Sequence, residues 1–569
     1  MTAPAAAPGP AASAPAAGPS VARHGKRVVI IGGGISGLAS AALLAREGHE
    51  VTVFEKGSAV GGRAGSWESE GFRFDLGPSW YLMPEVFDHW FRLMGTSAAE
   101  QLDLVSLDPG YRVFFEGVPG PLDVPHGLEE NVALFDSIEP GSGPRIRDYL
   151  ASSRDTYDMA KKRFLYTSFR SWRPLLRRDV VTRLPTLARL LVQDLSSLVA
   201  RTVSDRRLAQ ILGYPAVFLG SSPYETPSMY HLMSTLDLDD GVLYPQGGLT
   251  TVIERIAALA VDAGVTIVTN ATVTSIRTTS GRHPRATGVD WVARDGLARA
   301  QVADIVVSAA DLHHTETVLL PRELQTYGES YWAGRNPGPS ALLMYLGVSG
   351  ELPQLEHHTL LFSRDWRDNF GRIFGPSKSI PEPPSLYVCK PSVVDPSTAP
   401  PGQTNLFVLV PLPADPSLGL GSIPAGDSSR VGNSCSTVLE RLGDAVVQQI
   451  AEWADIPDLN SRIVLRRTRG PQDFVDDYNS WSGSMLGPAH TLAQSAMFRA
   501  GNVSKKVRGL YYVGGSVRPG IGLPMCLISA EVLLKNLRGD TSTEPLPEPA
   551  SLPTTSSTPA ARAAPATRA

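Results

Sequence analysis

Apolar positions along the chain alternate between short β-branched blocks and longer helical stripes, which predicts an α/β protein. Arg27–Ile31 is a compact Val/Ile run, read as a buried parallel strand. A glycine turn follows, then a helical pattern at Leu38, Ala41, Ala42, Leu44 and Ala45 that stops at Gly48. Glu50–Phe54 reads as a second strand. Further along, a helix over Leu249–Ala263 precedes strands at Val265–Val268, Thr272–Ile276 and Ala303–Ser308. Gly509–Gly515 reads as another buried strand and leads into an apolar helix, Leu527–Leu537. Val28–Ala45 runs 18 residues without a charge, the lower limit for a membrane span. Its three consecutive glycines and β-branched start fit a strand, a turn and a helix better.

The two ends lack this patterning. Met1 to about Ser20 is almost entirely Ala, Pro, Gly and Ser, and 540–569 repeats that flavour with Thr and Glu. Residues 1–25 and 540–569 are therefore expected to be disordered tails. The first lacks the compact aliphatic segment of a secretory signal. Lys plus Arg total 52 against 56 Asp plus Glu, a net charge of −4. That balance argues against a dedicated nucleic-acid binder. With 569 residues and 42% hydrophobic content, a large core can form. Cys389, Cys435 and Cys526 are odd in number and widely spaced. They form neither a disulfide framework nor a zinc ribbon, and a reducing compartment fits them best.

The first turn carries chemistry. Gly32-x-Gly34-x-x-Gly37 follows a strand and opens a helix at Ile35 and Ser36. Gly32 permits the tight turn, Gly34 lets backbone approach a pyrophosphate, and Gly37 lets helix and strand pack closely. The helix N-terminus offers free N–H groups to phosphate. Glu55 ends the second strand, where an acid accepts ribose hydroxyls. Strand, glycines, helix, strand and acid fall in the order that dinucleotide binding requires. No Walker, HExxH or Ser-His-Asp pattern appears, which leaves P-loop, zinc-peptidase and hydrolase chemistry unsupported.

Glu55 is followed after five residues by Gly61-Gly62-Arg63, which resembles the extended motif of the FAD-dependent amine-oxidase and phytoene-desaturase superfamily. Gly71-Phe72-Arg73-Phe74-Asp75-Leu76-Gly77-Pro78-Ser79 resembles the segment that in this family passes beside the flavin ring. Arg518-Pro519-Gly520-Ile521-Gly522-Leu523-Pro524 resembles the family's C-terminal turn, whose following helix points its N-terminus at the flavin. Tyr244-Pro245-Gln246-Gly247-Gly248 and Ala309–Thr315 resemble the carotenoid desaturase and isomerase group, although Ala310 stands where the family often has Asn. The resemblance is to bacterial-type phytoene desaturases and covers roughly Arg27–Leu537.

The resemblance implies an α/β fold: a Rossmann-type FAD-binding domain, of the GR2-like flavoprotein kind, interleaved with a substrate-binding domain and a helical, membrane-facing subdomain. FAD-binding parts are expected over 26–95, 241–325 and 501–539, a helical substrate and membrane region over 96–240, and a substrate-binding part over 326–500. The implied FAD contacts are Gly32, Gly34, Ile35, Ser36, Gly37, Glu55, Lys56, Gly62, Arg63, Gly77, Pro78, Ser79, Val273, Gly515, Pro519, Gly520, Gly522, Leu523 and Pro524. The implied activity is stepwise desaturation of phytoene toward lycopene or a partly desaturated intermediate, with oxygen or a quinone as electron acceptor. A carotenoid isomerase, a retinoid-type saturase, a desaturase of a modified carotenoid, or a non-catalytic isoprenoid escort protein remain alternatives.

Lys161–Arg189 holds nine basic residues and one acidic residue, and Leu184, Leu187, Leu191, Leu195 and Leu198 follow at helical spacing. A basic, aromatic-rich stretch beside an apolar helix face is what an interfacial anchor needs. With a hydrocarbon substrate, this places the protein in the cytoplasm, peripherally on the inner face of the cell membrane. Catalytic candidates are few. Arg154, in Tyr149-Leu150-x-x-Ser153-Arg154, resembles a family segment near the substrate channel, though a surface salt bridge is the favoured reading. Asp75 is expected in the cofactor shell and Asp311 as a ribose or loop-capping ligand. The pairs His313-His314 and His357-His358 read as solvated loop histidines whose side chains diverge, so no metal site is expected.

Overall fold

The computed structural model describes residues 25–171, 177–422 and 435–549, together with the backbone of 562–563. Of the two expected tails, 1–24 and almost all of 550–569 lie outside the described residues. The fold is α/β, built around two large sheets with smaller ones beside them.

The first sheet is parallel and has five strands: β1 (Arg27–Ile31), β2 (Glu50–Phe54), β3 (Thr266–Val268), β4 (Ile305–Ser308) and β5 (Leu510–Tyr512). They lie in the order β5-β4-β1-β2-β3. The period-2 pattern decides its two faces. Val28 and Ile30 of β1, with Val51, Val53, Ile305 and Val307, pack on α1 (Ile35–Arg46), α2 (Leu249–Asp262) and α3 (Leu523–Arg538). Val29, Ile31, Phe54 and Val306 face the other way, onto a three-stranded antiparallel sheet, Ala271–Thr278, Ala286–Ala293 and Ala298–Val302. The run at Thr272–Ile276 thus belongs to this covering sheet. Burial on both faces explains why the strands are continuous Val/Ile runs. The Val28–Ala45 stretch is β1 and α1, both buried. Among the described residues, no helix is long and apolar enough to cross a membrane.

The second sheet has seven strands, in the order Ile463–Arg469, Ser340–Ser349, Gln403–Leu412, Leu386–Cys389, His358–Phe362, Tyr111–Phe115 and Leu122–Val124. All neighbours are antiparallel except His358–Phe362 with Tyr111–Phe115. Leu342, Met344, Leu346 and Val348 pack on the helix Thr437–Trp453. Ala341, Leu343 and Tyr345 face the opposite side, toward helices of the 128–213 region.

Four expectations are corrected. The region expected to be helical over 96–240 also supplies two strands, Tyr111–Phe115 and Leu122–Val124, to the sheet built mainly from 340–469. The C-terminal helix begins at Leu523, four residues before the apolar run, because Gly522 and Pro524 start it rather than precede it. Leu184–Leu198 is not one stripe: Leu184–Val192 and Leu195–Thr202 are separate helices, the second capped by the Asp194 side chain on the Ser197 N–H at 2.8 Å. Residues 540–549 are folded. Leu546 is buried against the nucleotide core, and Lys535 Nζ donates to the carbonyls of Tyr166, Ser542 and Glu544. One apolar anchor and a buried ammonium are enough to dock a segment of low apolar content.

Candidate active site

The cavity forms where three stretches of chain converge. The β1–α1 turn supplies Gly32 and Gly34, with the backbone of Gly34 bridged to Gly61 of the following loop. A β-carbon placed on Gly34 would meet nothing within 4 Å, and Gly32 takes φ +101°. The N-terminus of α1 has no side-chain cap, so its orphan N–H groups face the opening. The loop after β5 delivers Gly515, Pro519, Gly522, Leu523 and Pro524, and α3 too begins without a side-chain cap. Two uncapped helix N-termini and a backbone cradle open to close approach fit a pyrophosphate-bearing dinucleotide such as FAD.

The expected contacts largely converge. Gly32, Gly34, Ile35, Ser36, Glu55, Lys56, Gly62, Arg63, Gly77, Pro78, Ser79, Val273, Gly515, Pro519, Gly522, Leu523 and Pro524 all line one cavity of about 1450 Å³. Gly37 and Gly520 do not. A β-carbon on Gly37 would lie 2.0 Å from the Gly32 carbonyl, and one on Gly520 (φ +149°) 2.2 Å from His490 Nε2. Both glycines are required by close packing against these neighbours.

The polar residues are held in place by the backbone. Glu55 accepts from Gly33 N–H and Gly57 N–H, each at 2.7 Å, and so pins both sides of the loop while its carboxylate faces the cavity. Lys56 Nζ donates to the Asp476 carbonyl at 2.6 Å, and burial lowers its pKa. Arg63 lies over the Tyr478 ring at 5.4 Å and donates to Ser480 Oγ at 2.9 Å, with Nε left without a partner in the described residues. Asp311 caps a short helix through the His313 N–H at 2.9 Å, and burial raises its pKa. Asp75 is not in the cofactor shell: it caps α2 through Leu249 N–H, Thr250 N–H and Thr250 Oγ1 at 2.8, 3.1 and 2.8 Å.

Arg154 is not at the cavity. Its guanidinium pairs with Asp239 and Asp240, and the Asp240 hydrogen bond is the main cause of its raised pKa. Its candidacy as a catalyst is therefore withdrawn in favour of the salt bridge.

A second branch of the cavity is apolar and aromatic, with Trp80, Phe218, Leu360, Phe362, Trp366 and Phe370 among its walls. Sequence reasoning missed this branch, because its residues come from scattered elements with no shared spacing. It also misplaced His357 and His358, which are 3% and 0% exposed and not solvated. Burial pushes His357 down to about 3 and His358 well below the usual imidazole range. Trp80 stacks on the His358 ring at 4.2 Å, and Tyr387 Oη lies 2.7 Å from both His358 Nδ1 and Ser79 Oγ. One nitrogen of each imidazole and the sulfur of Cys389 lie within 4.8 Å of one another. Their side chains thus converge, because Cys389 reaches them from the neighbouring strand.

Comparisons with known proteins agree with this geometry. The family "Flavin containing amine oxidoreductase" matches residues 35–531. A carotenoid 3,4-desaturase of Haloarcula japonica is 39% identical over 507 residues, 89% of this chain and 97% of that protein. A 4,4'-diapophytoene desaturase (4,4'-diaponeurosporene-forming) of Staphylococcus aureus is 30% identical over 517 residues, 90% of this chain and 99% of that one. Among solved structures, an oxidoreductase from Methanosarcina mazei superposes with a TM-score of 0.56 at 19% identity, covering 90% of this chain and 100% of that one. A wild-type putrescine oxidase with putrescine bound gives 0.55 at 12% identity, covering 90% and 99%. These last two share the fold.

Proposed function

The chain belongs to the flavin-containing amine oxidoreductase family, among its carotenoid desaturases, and from that premise we propose that it desaturates an acyclic carotenoid with FAD as cofactor. The observation that carries this reading is the joining of the glycine cradle and the aromatic branch in a single cavity. Its volume, about 1450 Å³, exceeds the roughly 300–1,000 Å³ of a pocket for one drug-sized ligand. It has room for a dinucleotide and a long apolar chain together.

FAD supplies the hydride acceptor when bound. The chain's own residues do the rest. Gly34 and the N-terminal N–H groups of α1 take the pyrophosphate, and Glu55 offers its carboxylate to the ribose. The N-terminus of α3 presents a positive dipole end to the same cavity. Trp80, Phe362, Trp366 and Phe370 give the substrate an apolar bed that excludes water. A polyene has no polar handle, so chain length and wall shape set which CH2–CH2 bond reacts.

Two reactions on this fold are distinguishable. Phytoene, desaturated toward lycopene or a partly desaturated intermediate, is the reading the motifs support. Desaturation at the 3,4 bond of an already conjugated carotenoid is favoured by the 39% identity to the Haloarcula japonica protein. Cells that accumulate phytoene, and cells that accumulate lycopene, would each express the chain. Absorption moved to longer wavelength in the lycopene cells alone establishes the 3,4 reading, and new pigment in the phytoene cells establishes the first. Unchanged pigment in both, with flavin-loaded protein present, refutes desaturation of acyclic carotenoids.

Oxygen or a membrane quinone is the proposed acceptor, and the membrane surface the proposed partner, with the protein on the cytoplasmic side. Support comes from the helix Leu184–Val192 and its flank, where Val181, Leu184 and Val192 are 49%, 58% and 82% exposed. Lys162, Arg177, Arg178 and Arg189 are exposed nearby. Others of the basic stretch are internally paired: Arg163 with Asp179, Arg183 with Asp155 and Lys161 with Glu85.

A further inference from the structure

Behind the aromatic wall, His358 and Cys389 sit directly opposite each other on neighbouring antiparallel strands. Cross-strand partners share one face of the sheet, with β-carbons roughly 4.5–5.5 Å apart. His357 precedes its strand, and its ring stands edge-on to that of His358 with centroids 4.6 Å apart. All three residues are buried, and a potential ligand atom from each lies within 4.8 Å of the other two.

The hydrogen bonding around them is incomplete. Among the described residues, neither nitrogen of His357 has a partner, nor does Nε2 of His358. Buried polar atoms are nearly always paired. Three orphaned imidazole nitrogens beside one thiol are therefore a cluster in need of a further group. The neighbours do not meet that need: Tyr244 meets His357 with its ring face-to-edge at 4.6 Å, and Trp80 covers His358.

We propose that His357, His358 and Cys389 bind one thiolate-seeking d10 cation, Zn2+. Two imidazoles and a thiolate form a nitrogen–sulfur ligand set that suits zinc and gives Mg2+ or Ca2+ no oxygen to hold. On binding, Cys389 releases its thiol proton to solvent, both imidazoles bind as neutral rings, and no electron moves. Tyr387 Oη, 2.7 Å from His358 Nδ1, is the outer contact that ligating imidazoles usually make and leaves Nε2 for the ion. The same hydroxyl reaches Ser79 Oγ, also at 2.7 Å, on the cavity wall. The ion thus clamps two strands and, through Tyr387, fixes the wall against which the substrate lies.

The test uses the tag-free, FAD-loaded chain expressed in zinc-supplemented medium. Elemental analysis is expected to find about one zinc per chain, and zinc-edge X-ray absorption a shell with sulfur at about 2.3 Å and nitrogen at about 2.0–2.1 Å. Cys389→Ala and His357→Ala should each lower zinc content at least about tenfold, with flavin absorbance retained as the readout of folding. Wild-type chain with full flavin and little zinc, a shell of light scatterers alone, or unchanged zinc in Cys389→Ala would each overturn the assignment. Where a variant does not accumulate, the wild-type edge spectrum decides alone.

Discussion

Gly34 and Gly37 belong to one motif but face opposite ways, and their substitutions should separate binding from folding. A methyl at Gly34 points into open cavity, since nothing lies within 4 Å. Gly34→Ala is expected to fold normally and to lose at least about tenfold in FAD affinity, because the methyl stands where backbone must approach phosphate. A methyl at Gly37 meets the Gly32 carbonyl at 2.0 Å. Gly37→Ala is expected to cost about 1–3 kcal/mol of stability, read by thermal unfolding. Flavin titration of the two variants, beside their melting curves, checks the division. Asp237 gives a second prediction at this scale. It is buried, accepts from Tyr111 and Tyr214 hydroxyls at 3.3 and 2.7 Å, and burial pushes it up to about 7. A carboxyl whose folded pKa lies above its unfolded value, near 3.9, stabilises the fold most at low pH. That stability falls as pH rises from about 4 through about 7, by roughly 1.4 kcal/mol per unit. Asp237→Asn should flatten this slope. The difference between wild-type and variant melting temperatures across pH 4–8 isolates it from other groups, and parallel curves would refute the assignment.

The elements legible in advance were those whose neighbours in sequence are also neighbours in space. β1, α1 and β2 form one local unit, so burial on both faces wrote itself into consecutive residues; the Glu50–Phe54 strand was placed to the residue. The C-terminal glycine turn was likewise visible. The seven-stranded sheet was not, because its strands are drawn from residues 111 to 469 and each alone reads as an apolar run without a partner. The His357–His358–Cys389 cluster depends on that sheet's pairing, and the aromatic branch on elements scattered along the chain, so neither was visible. The helix Leu184–Val192 offers the element-scale prediction. If it seats on lipid, Leu184→Asp combined with Val192→Asp should weaken binding to anionic vesicles at least about tenfold, since each buried aliphatic side chain contributes about 1.5–3 kcal/mol. Raising salt should weaken wild-type binding too, through Lys162, Arg177, Arg178 and Arg189. Sedimentation with vesicles measures both, and equal binding by the double variant would remove this helix from the anchor.

At the scale of the whole molecule, the cavity is closed by segments from opposite ends of the chain. Residues from the 31–36 turn and from the 513–526 segment both line it, Gly34 and Gly522 among them, and α1 packs against α3. The first motif contains every glycine that dinucleotide recognition names, but the cavity it opens onto is also lined by the C-terminal segment. β5 completes the parallel sheet by pairing with β4, and α3 packs on α1, placing Leu527, Ile528, Ala530 and Leu534 in the core that also holds β1. The segment after α3 adds Leu546 to the same core. FAD held in a cavity lined from both ends should therefore act as a clamp on one cooperative unit. A ligand bound only to the native state stabilises by RT ln(1 + [L]/Kd), about 2.7 kcal/mol at a hundredfold excess over Kd. Removing FAD should lower the melting temperature and expose both ends to protease together, not one before the other. Truncation after Ser504 should abolish flavin binding although Gly32, Gly34 and Glu55 remain, because β4 would become an edge strand and α1 would lose its packing against α3. Limited proteolysis of flavin-loaded and flavin-free chain, followed by mass analysis of the first cuts, tests the coupling directly. A stable N-terminal fragment that still retains flavin would show that the motif, and not the closed cavity, is the binding unit.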